Sequence, residues 1–161
     1  MFVEYDELPN NARIWVYQSD REFTEEEVAY ISSNAREFIN QWTKHGTNLK
    51  GSFTIKYNQF LILAVDQAFN NVSGCSIDAS VHFVQALEKK LNVDMMDKMN
   101  ISFKVGDHIN VVKMNAFRAF AKEKKINADT LVFNNMIGTK QELEDQWEVP
   151  AEQSWHKRFL V

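Results

Sequence analysis

Asp66, Cys75, Ser76, Asp78 and His82 have the types and spacing to do chemistry. Asp66 ends a wholly apolar run, Phe60 to Val65, and Cys75 and Ser76 lead into an amphipathic stretch. The end of a strand beside the start of a helix is a common ligand position, because free backbone amides point outward there. A thiol set just before such amides can turn nucleophilic. Cys75 is therefore the candidate catalytic residue, and Asp66, Ser76, Asp78 and His82 form the candidate ligand-binding set. His82 lies seven residues beyond Cys75, too far along one helix to serve readily as its base. His45, His108 or His156 would have to be brought there by the fold. Asp78 and His82, at i and i+4, share a helix face and could give two metal ligands, but no third presents itself and no metal is expected.

The same residues fit an architectural reading that needs no chemistry, and that reading is preferred. Ser76 suits a helix N-cap, Asp78 complements the dipole of a first turn, and Asp66 can close a loop. A single cysteine is often a small buried hydrophobe. An exposed Asp–His pair one helical turn apart contributes only about 0.2–0.5 kcal/mol.

The elements that must position these residues are readable from periodicity. Residues 13–18 (RIWVYQ) form a strand, rich in β-branched and aromatic types. Thr24 and Glu27 make a capping box for a helix, with apolar residues at Val28, Ile31, Ala35, Phe38, Ile39 and Trp42, and Gly46 is its expected stop. Residues 52–57 alternate as a half-buried strand, with a tight turn expected at Asn58-Gln59. Residues 60–65 (FLILAV) should be a central strand covered on both faces. A second helix is expected from Ser76 to about Asn92. Residues 101–105 and 109–111 form a hairpin around Gly106-Asp107. A loop of about five residues, pairing Phe103 with Ile109, keeps the apolar faces together. A short helix capped by Asn115, a strand at 130–133 and a short helix opened by Thr139 and Glu142 complete the order β α β β α β β α β α. Hairpin-like pairs dominate, so the expected class is α+β. Its mainly antiparallel mixed sheet has about five to six strands and packs with two main helices and two short ones. One domain, 1–161, is expected, with 147–161 an irregular tail packed on its body.

The chain's 161 residues, 45% hydrophobic and 25% charged, suffice for a core without staples. The net charge of −4 lacks the basic footprint of a nucleic-acid binder, and Lys122, Lys124 and Lys125 read as helix-terminal charges instead. One cysteine cannot form an internal disulfide or a multi-cysteine zinc site. Residues 1–10 are acidic and lack a basic-then-apolar pattern, so no secretory leader is expected. The longest apolar run is too short for a bilayer, and no membrane insertion is expected. A cytoplasmic location follows as the expectation.

Several blocks are distinctive: His45-Gly46, Ser52-Phe53, Val65-Asp66, Gly74 through Asp78, and the ending Trp147 through Pro150 and Ser154 through His156. Together they resemble a family of small uncharacterised bacterial proteins of the Bacteroidetes type, over nearly the whole chain. Its members often carry the automatic label "ABC transporter ATPase". The resemblance implies no substrate, cofactor or catalytic residue. The label's chemistry is rejected on the residues. ATP hydrolysis of that type needs G-x-x-x-x-G-K-[ST], and none of the five glycines, at 46, 51, 74, 106 and 138, stands in that pattern. H-E-x-x-H, G-x-S-x-G and G-x-G-x-x-G are also missing, and no motif calls for a cofactor.

The closing residues Trp147, Trp155, His156 and Arg158 offer a stacking surface for a partner, since Trp and Arg are favoured anchors. The preferred alternative folds the tail back and buries its tryptophans, because large exposed apolar patches are uncommon on monomers. The sequence thus points first to a non-catalytic binding or protein-interaction module, serving an unknown protein partner or a small ligand. It points second to a small enzyme or ligand-binding protein using the junction of Asp66, Cys75 and Asp78.

Overall fold

The computed structural model describes Met1–Val161. Its contacts gather into two units, Met1–Met96 with Gly138–Gln141, and Asp97–Ile137 with Glu142–Val161, each with its own apolar cluster. Four α-helices and antiparallel sheets make this an α+β chain. The single sheet of five to six strands expected from the sequence does not form. The strands divide among three sheets, of three, two and four strands. Most sheet contacts run between strands near in sequence, where closing the loop costs least.

In the first unit, strands β1 (Arg13–Gln18), β4 (Gly51–Lys56) and β5 (Phe60–Val65) form an antiparallel sheet in the order β1-β5-β4. All six residues of β5 have 0% exposure, so this apolar run is the central strand its composition demands. Helix α1 (Glu25–Gln41) starts at a complete capping box of Thr24 and Glu27 and buries Ile31, Ala35 and Ile39 at helical spacing. It stops at Trp42, not at Gly46. His45 (φ 50°) and Gly46 (φ 80°) instead turn a small hairpin of β2 (Thr43–Lys44) and β3 (Thr47–Asn48). Two successive positive φ values are what a two-residue type I′ turn requires, and His tolerates that region better than most residues. The β4–β5 turn is displaced by one residue from the expected Asn58-Gln59. Tyr57 and Asn58 take positive φ, and Gln59 N–H donates to the Lys56 carbonyl at 3.0 Å. Helix α2 (Gly74–Leu91) buries Ser76, Ser80, Val84 and Leu87 and ends at Asn92 in the left-handed region.

In the second unit, β6 (Asn100–Val105), β7 (His108–Lys113), β8 (Leu131–Phe133) and β9 (Glu148–Pro150) form an antiparallel sheet in the order β7-β6-β8-β9. The β6–β7 loop has two residues and pairs Phe103 with Asn110, not with Ile109. Gly106 supplies the positive φ (61°) such a turn needs. The preference for matched apolar faces fails because Ile101, Ser102 and Phe103 are all buried, so β6 is covered on both sides and alternation carries no weight there. Helix α3 (Met114–Lys122) packs Phe117 and Ala121 inward. Helix α4 (Lys140–Asp145), whose first two residues belong to the first unit, precedes β9. Lys113, not Asn115, holds the N-cap position of α3. The tail expected to be irregular contains β9 and two 3-10 turns, Ala151–Gln153 and Trp155–Phe159. No helix is long and apolar enough to cross a membrane.

Candidate functional site

The junction between β5 and α2 uses its polar groups on itself. Asp66 is 9% exposed, and its carboxylate accepts the Ala68 N–H at 3.0 Å. Its carbonyl receives Phe69 N–H at 3.2 Å, and its own N–H donates to Lys50 O at 2.9 Å. Asp66 therefore closes the loop that follows β5, an Asx-type role. The N-cap of α2 is Ser73, not Ser76: its Oγ accepts Ser76 N–H at 3.2 Å. Ser76 sits within the first turn, 1% exposed. It donates through Oγ to Thr43 O at 2.9 Å, while its carbonyl accepts the Trp42 indole N–H at 2.8 Å. With the Ser76 proton so used, the 2.9 Å contact between the two hydroxyls places Ser73 as donor. The sequence misassigned the cap because Ser73 and Ser76 are equally good caps, and only the contacts of Trp42 and Thr43 bury the second.

Cys75 is exposed and free of any disulfide in the first turn. Asp78 and His82 are exposed as well, one turn apart on α2. No group of three or more His, Cys, Asp or Glu side chains is placed to hold a metal ion. The junction thus combines a buried carboxylate engaged in its own loop with an exposed thiol, and no imidazole contact to Cys75 is seen.

A different cluster leaves its polar groups open. The turn Trp155–Phe159 follows Ser154 and packs on α3. His156 is 1% exposed, and its Nδ1 is hydrogen-bonded to Ser154 Oγ at 2.7 Å. Its Nε2 has no partner, nor does the buried indole N–H of Trp155. The imidazole stacks on Trp155 at 4.0 Å between ring centroids and lies 5.5 Å from Phe117. Burial, with a smaller push from the nearby Arg158 charge, lowers its pKa to about 4, so it is neutral near pH 7.

Two guanidinium groups flank the same rings. The Arg158 guanidinium carbon is 5.3 Å from the Trp155 ring centroid and 5.0 Å from that of Phe159. That of Arg118, from α3, is 5.4 Å from the Phe159 centroid. Such stacking fixes a long side chain over an aromatic face. Both arginines are exposed, and neither is paired with a carboxylate. Of the closing residues weighed as a stacking surface and, by preference, as a folded-back tail, Trp147 lies apart: it is 4% exposed, packs on Phe133 at 4.9 Å and donates its indole N–H to Asn135. Trp155 is half-buried. The sequence named Trp155, His156 and Arg158 but missed Arg118 and Ser154. Ser154 carries a weak signal, a hydroxyl two residues before a histidine. Arg118 carries none, because only the packing of α3 on the C-terminal turn brings it to Phe159.

No protein-family model, curated protein or solved structure matches this chain.

Proposed function

We propose that the chain is a non-catalytic protein-interaction module, and that α3 with the turn Trp155–Phe159 forms its docking face. One observation carries this reading: two exposed guanidinium groups are held against Phe159 and, for Arg158, Trp155, with no carboxylate of the chain to satisfy them. Arg and Trp in such settings are the residue types that dominate interface energetics. A side chain already held in place loses less freedom when a partner arrives. The lack of a recognised catalytic motif agrees with the reading. The junction of Asp66, Cys75 and Asp78 remains the alternative location for ligand binding or chemistry, but no contact there favours it over loop closure.

The test is quantitative capture from a lysate of the source cells by the full chain, compared with the double reversal R118E/R158E. The variant K56E/K89E changes the charge equally at two other exposed lysines. The reading expects proteins retained by the wild type and by K56E/K89E to be lost with R118E/R158E. Identical captures by all three chains would remove the docking face.

A further inference from the structure

We infer that the segment this face receives is an extended acidic peptide, a run rich in Glu and Asp on a protein partner. The inference rests on the docking reading above and adds the chemistry of the occupant. Arg118, Lys122, Lys157 and Arg158 are all exposed, and none makes an ion pair within the chain. Between residues 113 and 125 the one carboxylate, Glu123, is engaged by Lys125 at 3.0 Å, and Lys113 is engaged by Asp97 at 2.7 Å. These four positive charges are therefore not engaged by a salt bridge within the chain.

Their placement suits carboxylates offered in series. Arg118 and Lys122 stand one helical turn apart on α3. Arg158 and Lys157 add a second row from the turn that packs on that helix. The two guanidinium carbons lie at 5.4 and 5.0 Å from one ring centroid, so their separation cannot exceed the sum of those distances. A planar guanidinium presents two parallel N–H donors to a carboxylate, an arrangement an ammonium cannot copy. The Arg158 guanidinium lies against both Phe159 and Trp155, contacts that favour one placement of the group before any partner binds. A long nucleic acid fits less well. It would carry its charge beyond this patch along a chain of net charge −4, whereas a short segment interacts mainly within a screening length of about 8–10 Å.

The experiment is fluorescence anisotropy with the full chain and a fluorescein-labelled peptide of alternating Glu and Ser. Controls are the Gln–Ser peptide and a phosphoserine peptide with Gln in place of Glu. The Glu–Ser peptide should bind, with affinity falling as salt rises from low to physiological strength. R118A/R158A should weaken it about tenfold or more, on the scale of lost anchor residues. R118K/R158K, which keeps the charges but loses the forks, should weaken it several-fold. Thermal melts of each variant show that the chain is folded. Equal binding of the Glu–Ser and Gln–Ser peptides, or unchanged binding in R118A/R158A, overturns the inference. So does binding of the phosphoserine peptide alone, which reassigns the face to phosphate. If lysate capture depends on the two arginines while the Glu–Ser peptide stays unbound, the acidic occupant is wrong and the docking face stands. If capture is indifferent to them, both fall.

Discussion

The junction at residues 66–76, with Trp42 packed on it, and the turn at 154–159 hold similar inventories: at least one serine hydroxyl, a buried titratable group and a tryptophan. They use them in opposite ways. At the junction every buried polar group named above has a nearby partner: Asp66 with Ala68, Ser76 with Thr43, and Trp42 with the Ser76 carbonyl. At the C-terminal turn, the Trp155 indole N–H and His156 Nε2 are buried without partners, and two arginines stand without counter-ions. A buried polar group left open costs about 1–3 kcal/mol, so a fold keeps such groups only against a compensating gain. The comparison teaches that the residues most suggestive in a list, an aspartate, a cysteine and a helix start, can form a structural knot.

The largest effect should come from cutting that knot. Trp42 is 2% exposed, packs on Trp15 and Phe38, and anchors α2 through the Ser76 carbonyl. Trp42→Ala should cost about 3–5 kcal/mol in urea denaturation. Trp42→Phe keeps a ring but loses the indole donor to a carbonyl that α2 still engages, and should cost about 1 kcal/mol. If Trp42→Phe is neutral, the junction is held by apolar packing alone and the contrast with the C-terminal turn narrows.

The next effect belongs to the open site and has a sign. Unfolded, His156 takes a proton near its ordinary pKa of 6.5; folded, it does not until about 4. Between those values the unfolded chain binds more protons, so stability falls as pH is lowered through this window and the loss stops growing below it. The total is on the order of 3 kcal/mol, from about 1.4 kcal/mol per pH unit. His156→Phe should flatten that slope, seen as similar urea midpoints at pH 7 and pH 4.5. Glu27 provides a contrast in the first unit. Its hydrogen bonds from Arg21 and Thr24 lower its pKa from 4.5 to about 2, so its contribution is present above 4.5 and is lost as pH falls toward 2. Because Arg21 is largely exposed, that contribution is small, about 1 kcal/mol or less. A slope between pH 6.5 and 4 that survives His156→Phe would place the acid sensitivity elsewhere.

How much of this was legible in the sequence depends on whether a local rule decided the matter. The capping box of Thr24 and Glu27 and the doubly covered strand 60–65 were readable, since spacing and composition specify them. The His45-Gly46 hairpin was not. Gly46 ends a helical pattern as plausibly as it turns a hairpin, and the choice depends on Trp42 closing the helix. The β6–β7 register was misread because β6 is buried on both faces, which removes the alternation the argument used. Asp66, Cys75 and Asp78 were found as residues, but not that Asp66 is consumed by its loop. Arg118 could not be found, because its partner ring is 41 positions away in the chain.

Smaller effects bear on the first turn of α2. Ser73→Ala removes the cap on Ser76 N–H and frees the hydroxyl contact with Ser76, and should cost about 1 kcal/mol. Cys75→Ser, two residues along, should change stability by less than about 0.5 kcal/mol, because its side chain is exposed. It should also leave lysate capture unchanged. Iodoacetamide at neutral pH makes the comparison sharp: Cys75 should label at the rate of a free cysteine peptide, since exposure alone sets its access. Faster labelling would mean that the amides of this turn activate the thiol after all. The junction would then be a chemical site as well as a structural one, and the division of roles between the two regions would fail.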